Sequence, residues 1–327
     1  MSTETVLGIS PFGEPDSRLV AAVCRAGGLG VLDPGRGRRR AAREALRLVR
    51  QWVPGPFGVR VGAGCALGPD DLAADGGVHT VLLCVDAELT PAGFSGPRVL
   101  VEVTDYEEAL AAARAGAHGL VARGNEVGGR VGELSTFVLL QQLVADPELG
   151  LPVWACGGIG PHTAAAAVVG GAAGVVLDTQ PALLDESGVP EEMAAAVRTM
   201  DGSETVVAAG HRVLRRRGPD APPLPGEPGE VARLPGAEDP RTRLLPVGQD
   251  GFLASSFARH WGDVGTAVRG VTAAVREAVR DDAVAHTLLR GSPMSRAMGT
   301  VLPIAQGPMT RAGRTFPNSP CWSGATR

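Results

Sequence analysis

Two glycine-rich stretches hold the side chains best suited to chemistry. In Gly124–Gly132 four glycines fall within nine residues, with Glu126 and Arg130 between them. Glu126 is a carboxylate that could take a proton, and Arg130 is a permanent cation that could hold a carboxylate, enolate, nitronate or phosphate. The plain alternative is a solvated loop with one ion pair. The second stretch, Pro152–Gly160, ends an apolar run at Cys156 and passes through Gly157 and Gly158 into a helix start. Bare glycines there let a phosphate approach backbone N–H groups, and the helix dipole favours its charge. The alternative is a tight turn and nothing more. Asp178 and Thr179 close the next apolar run in the same manner.

The elements that must position these turns repeat regularly. Eight short apolar or β-branched runs cover 5–10, 29–33, 57–62, 80–85, 98–103, 118–123, 152–156 and 174–178. Most are not strictly alternating, as expected of parallel strands buried on both faces. Helices are predicted between them at 18–26 (capped by Asp16 or Ser17), 38–52, 106–115 (capped by Thr104 or Asp105), 135–145 and 162–169. Eight strand–helix repeats predict a (β/α)8 barrel, with a doubly wound sheet as the alternative. The Gly-Gly turn then follows the seventh strand and Thr179 the eighth, the positions where barrels frequently build a phosphate site. The Glu126–Arg130 loop follows the sixth strand, on the same catalytic face.

Composition narrows the chemistry further. The chain has 327 residues, 44% of them hydrophobic, and a formal charge of −4, which gives no electrostatic reason to expect nucleic acid or an anionic membrane as partner. All 31 basic residues are arginine, so a Schiff-base lysine and a P-loop lysine are both excluded from this sequence. Cys24, Cys65, Cys84, Cys156 and Cys321 are odd in number, widely spaced and never in a CxxC, which points to a reducing, cytoplasmic compartment and away from zinc. The histidines share no metal-ligand spacing. No signal peptide and no apolar run of membrane-spanning length is read in the sequence.

Several motifs in order resemble the nitronate monooxygenase (2-nitropropane dioxygenase-like) family, which includes flavin-dependent enoyl-thioester reductases. They are Ile9-Ser-Pro-Phe-Gly13, Ala26-Gly-Gly-Leu-Gly30, Pro56-Phe-Gly-Val-Arg-Val61, Gly124–Gly132, Ala155–Ile159 and Gly171–Thr179. The resemblance implies an FMN barrel, with Pro11, Phe12, Gly13, Arg60, Glu102, Gly128 and Gly129 around the flavin and Gly157, Gly158, Ile159, Asp178 and Thr179 at its phosphate. It implies Arg130 and Glu126 as the catalytic pair, a small-molecule or acyl-thioester substrate, and NAD(P)H as a possible electron donor. Hydride would then pass by way of the flavin to a conjugated alkene, with Arg130 bearing the enolate charge. Three positions depart from the pattern. Arg130 stands at the family's histidine and cannot exchange a proton at ordinary pH. Arg60 replaces an asparagine, and is either a cation at the flavin edge or an ion-pair partner of Glu102. Asp178 replaces a glycine and sets a carboxylate beside the phosphate.

The expected domain plan is a barrel core over 1–184, an insertion and helical segment over 185–290 that completes it, and a stub over 291–327. Within 185–290, 218–240 reads as a loop and 252–281 as helical. In the stub, Gly299–Arg311 resembles the family's opening strand once more, as in tandem modules at the front of polyketide or fatty-acid-type synthases. The chain therefore reads as an FMN oxidoreductase with polyketide synthase domains as partners, a flavin-free structural module of a synthase, or a nitronate monooxygenase.

Overall fold

Strands that are apolar on both faces need cover on both sides, and a closed parallel sheet wrapped in helices supplies it. In the computed structural model the strands β1 (Val6–Ile9), β2 (Leu29–Leu32), β3 (Phe57–Val61), β4 (Val78–Leu83), β5 (Arg98–Val103), β6 (Gly119–Arg123), β8 (Val153–Cys156) and β9 (Gly174–Leu177) form that barrel. All neighbouring pairs are parallel, and β9 pairs back onto β1 through Val6 and Val175. That closure excludes the doubly wound sheet. The structure describes residues 5–73, 78–84, 86–215, 224, 226, 244–280 and 289–304.

The helices begin where the sequence places their caps. Asp16 accepts the N–H groups of Arg18 and Leu19 at 3.1 Å and starts α1 (Ser17–Arg25). Asp105 accepts from Glu108 at 2.8 Å and starts α4 (Tyr106–Arg114). The remaining wrapping helices include α2 (Arg39–Trp52), α5 (Thr136–Ala145), α6 (Pro161–Val169) and α7 (Glu191–Arg198). The helix expected across 252–281 is two helices, Leu253–Trp261 and Val264–Arg280. Gly262, at φ 73°, takes a left-handed turn between them that a side chain would resist. Val264, Val268 and Val271 join Val6, Leu19 and Val23 in the main apolar cluster.

Alternation along the strands builds the barrel interior. Leu7, Val31, Leu100, Val121, Trp154 and Val176 belong to one buried cluster, distinct from those under the helices. Two residues beyond Leu100, Val121 and Val176 come Glu102, Arg123 and Asp178, and period two turns these toward the same side at the C-terminal mouth. A second, three-stranded antiparallel sheet joins β7 (Gly129–Arg130) to the hairpin of β10 (Thr205–Ala208) and β11 (His211–Leu214).

The chain divides into two compact units, Met1–Val275 and Arg276–Arg327. Of the second, the described part holds a short helix, Pro293–Ala297, started by the Ser292 side chain. Most of the predicted loop at 218–240, most of the repeated opening motif at 299–311 and the tail beyond it lie outside the described residues.

Candidate functional site

A cavity of about 140 Å³ opens at the C-terminal mouth of the barrel. It lies where loops after parallel strands carry function in this architecture. Its walls include Phe12, Gly13, Arg36, Arg60, Glu102, Arg123, Gly129 and Arg130. It is small beside ligand clefts, which run to about 300–1,000 Å³.

A charge network forms its floor. Arg60 donates from Nε and Nη2 to the two oxygens of Glu102 at 2.8 and 2.9 Å, and from Nη1 to Asp33 at 2.9 Å. Arg123 is 4% exposed. It donates to the Gly128 carbonyl at 2.6 Å and to Glu102 at 3.4 Å, and lies 3.9 Å from Asp178. Burial opposes ionisation of Glu102, but Arg123 and Arg60 outweigh it and hold the carboxyl down to about 2. Of the two sequence readings of Arg60, the structure has the ion pair with Glu102. Its charge is spent on Glu102 and Asp33. Burial pushes the thiols of Cys84 and Cys156 well above their usual range, so both stay protonated.

Arg130 is placed by β7, whose register sets it opposite His211 of β11. The glycine-rich loop is therefore braced by a sheet, and Arg212 adds a 2.5 Å hydrogen bond to the Asn125 carbonyl. Arg130 pairs with Glu108, not with Glu126. Arg130 lines the cavity, and its Nη1 is buried without a hydrogen-bond partner. Glu126 faces elsewhere. Its carboxylate receives the Thr136 N–H at 3.1 and 3.2 Å and caps α5, a helix-starting role at odds with orienting Arg130.

The turn expected to cradle a phosphate is filled by the chain itself. The Gly158 N–H donates to Asp250 Oδ2 at 3.0 Å, and the Thr179 N–H donates to Asp178 at 2.8 Å. Gly157, Gly158, Ile159, Asp178 and Thr179 are absent from the cavity wall, and Ile159 is fully buried. Asp250 is 3% exposed. Burial, then Asp178 and Glu126, push its carboxyl well above the usual range despite the Gly158 N–H. A flavin phosphate does not fit this arrangement: the Gly158 and Thr179 N–H groups are taken, and three carboxyl groups crowd the turn.

The glycines answer to chain packing as well. A Cβ on Gly128 would lie 2.2 Å from the Pro246 carbonyl oxygen, and one on Gly157 would lie 2.3 Å from Thr136 Oγ1. Gly128 thus makes room for the segment carrying Pro246, where a cofactor contact was expected. Gly129 does line the cavity, as do Phe12 and Gly13, whereas Pro11 does not. Phe12 holds φ 59°, ψ 22° within the 3-10 turn Pro11–Gly13, a left-handed conformation uncommon for an aromatic residue.

Arg123, Asp33, Glu108 and Asp250 were missed as site residues. Arg123 was within reach, since it stands two residues after Val121 on a strand already identified. Asp250 had no such signal. It lies in the short 3-10 helix Gln249–Phe252, 92 residues away from Gly158. His118 accepts the Val99 N–H at 3.1 Å and ties two strands together, and His162 is exposed. Among the described residues, no group of acidic, histidine or cysteine side chains could hold a metal ion, and no helix is long and apolar enough to cross a membrane.

Comparison with known proteins agrees with the architecture. The family model for nitronate monooxygenase matches residues 86–216. A (3aS,4S,5R,7aS)-5-hydroxy-7a-methyl-1-oxo-octahydro-1H-indene-4-carboxyl-CoA dehydrogenase from Mycobacterium tuberculosis is 30% identical over 211 residues, 61% of this chain and 59% of that protein. The enzyme of the same name from Rhodococcus jostii is 29% identical over 217 residues. The chain thus spans under two thirds of the length of the curated relatives it matches. A FabK mutant from Thermotoga maritima superposes with a TM-score of 0.68 at 26% identity, covering 85% of this chain and 94% of that one. Nitroalkane oxidase from Streptomyces ansochromogenes shares the fold, with a TM-score of 0.65 at 23% identity over 84% of this chain and 96% of that one.

Proposed function

We propose that the chain is a nitronate monooxygenase-like barrel whose mouth is a flavin-dependent oxidoreductase site acting on an acyl thioester, a reading supported by the family model over residues 86–216 and the likeness to FabK. The observation that carries the proposal is Arg130, which lines the cavity and keeps a buried Nη1 that no hydrogen bond satisfies. A fixed cationic donor of this kind stabilises charge developing on a carbonyl oxygen. Arg130 itself has no proton to exchange, so its role is to bind and polarise. Acyl thioesters are favoured by the curated relatives, whose names specify CoA-ester dehydrogenation. FMN as the flavin, NAD(P)H as the donor and synthase domains as partners are the finer parts of this reading. They rest on the motifs of the family and on the repeated opening motif.

A second reading is a flavin-free structural module. It is favoured by one observation, the occupation of the Gly158 and Thr179 N–H groups by Asp250 and Asp178. Turnover separates the two. With flavin supplied, the protein should couple NAD(P)H oxidation to an unsaturated acyl-CoA, and Arg130→Ala should lower kcat/KM. Absence of coupled oxidation across a panel of acyl-CoA substrates would favour the module.

A further inference from the structure

We propose that Asp250 is a built-in plug of the barrel's phosphate turn, so that the protein gains nothing from the phosphate of a flavin nucleotide until Asp250 is displaced. This rests on the reading of the mouth as a flavin site, and it concerns the opposite end of that ligand.

The argument starts from backbone packing. The segment around Asp250 lies directly on the loop that follows β6. A Cβ on Gly248 would stand 2.1 Å from the Glu126 carbonyl oxygen, and the Asp250 N–H points to that same oxygen at 3.5 Å. Together with the close approach of Gly128 to Pro246, this clamps the segment at two points. The clamp delivers the Asp250 carboxyl to the Gly158 N–H, at the distance a phosphate oxygen would take there. Oδ1 of the same carboxyl is buried with no hydrogen-bond partner. A carboxyl group placed this way imitates one edge of a bound anion and excludes the anion itself. A dianion entering the turn would also meet Asp178 and Glu126. The position leaves the cavity at Arg130 unobstructed, so the ring end and the phosphate end of a flavin are decoupled.

The test compares FMN with riboflavin, which lacks the phosphate, by quenching of flavin fluorescence. It uses the full chain as wild type, Asp250→Ala and Asp250→Ser, the last keeping a polar side chain in this polar surrounding. The wild type should bind the two flavins with similar affinity. Either variant should prefer FMN by about tenfold or more, the scale of one charge-assisted hydrogen bond regained, with riboflavin affinity unchanged. A wild type that already prefers FMN by that factor overturns the plug. So does riboflavin binding in all three proteins with no gain for FMN in folded variants, and in that case the flavin site at the mouth still stands. Failure of all three proteins to bind either flavin removes the plug and the flavin site together.

Discussion

Arg60 on β3 reaches past β4 to hold both carboxylate oxygens of Glu102 on β5, at 2.8 and 2.9 Å. The register explains the reach. Arg60 stands opposite Leu82, and Leu82 opposite Leu100, so Glu102 rises one inward position above that row. Arg123 approaches the same carboxylate from β6. One acid therefore ties three parts of the barrel wall together and fixes the floor of the cavity.

Removing that acid should be costly. Glu102→Gln leaves the buried Arg123 and the half-buried Arg60 short of a counter-charge, a defect worth about 3–5 kcal/mol. Chemical denaturation should show a loss of this order, and a loss below about 1 kcal/mol would mean that the network is solvated. The acid limb of the stability curve reports the same group. Because its folded value is depressed to about 2, the contribution of Glu102 is complete above the ordinary glutamate range and is lost as pH falls from there toward 2. Glu102→Gln should flatten that limb.

Asp250 should behave with the opposite sign. Its carboxyl is raised, so its contribution is complete below the ordinary aspartate range and declines as pH rises toward the folded value. Asp250→Asn fills the same space with a neutral group. At neutral pH it should raise Tm relative to wild type, with the advantage vanishing in acid. Thermal melts across pH check this, and a variant that is less stable at every pH would show that Asp250 is ionised and paired in the folded state.

Arg130→Ala separates binding from stability. The side chain is 37% exposed and that of its partner Glu108 18%, so the fold should lose less than about 1 kcal/mol. Losing an electrostatic donor at a reacting carbonyl costs about 10²–10³ in rate where it acts on the transition state. Steady-state kinetics with an unsaturated acyl-CoA should therefore show a large fall in kcat with a near-native melt. A fall in Tm that accounts for the lost activity would make Arg130 a structural residue.

The barrel was legible because its signals are local. Eight apolar runs in order became eight strands, and Asp16 and Asp105 cap the helices they precede. The pair of Arg60 with Glu102 was legible as one of two readings, because β3 and β5, one strand apart, turn inward positions toward the same mouth. The phosphate turn was misread because glycine is ambiguous. A bare backbone serves an approaching phosphate and an approaching chain equally, and Gly128 and Gly157 serve the chain. What chooses between those uses is Asp250, which lies in a four-residue 3-10 helix too short to carry a period that would place it. Gly262 shows the reverse case. A helical period ran through it, but a single left-handed residue broke the element in two.

The central claim is that the barrel mouth receives a flavin, and a visible difference spectrum of the wild-type protein titrated with riboflavin and with FMN tests it most directly. A saturable perturbation of the flavin bands, similar in size and midpoint for both ligands, is the predicted result. Spectra that equal the sum of free flavin and protein at every concentration would contradict it and leave the chain as a structural barrel.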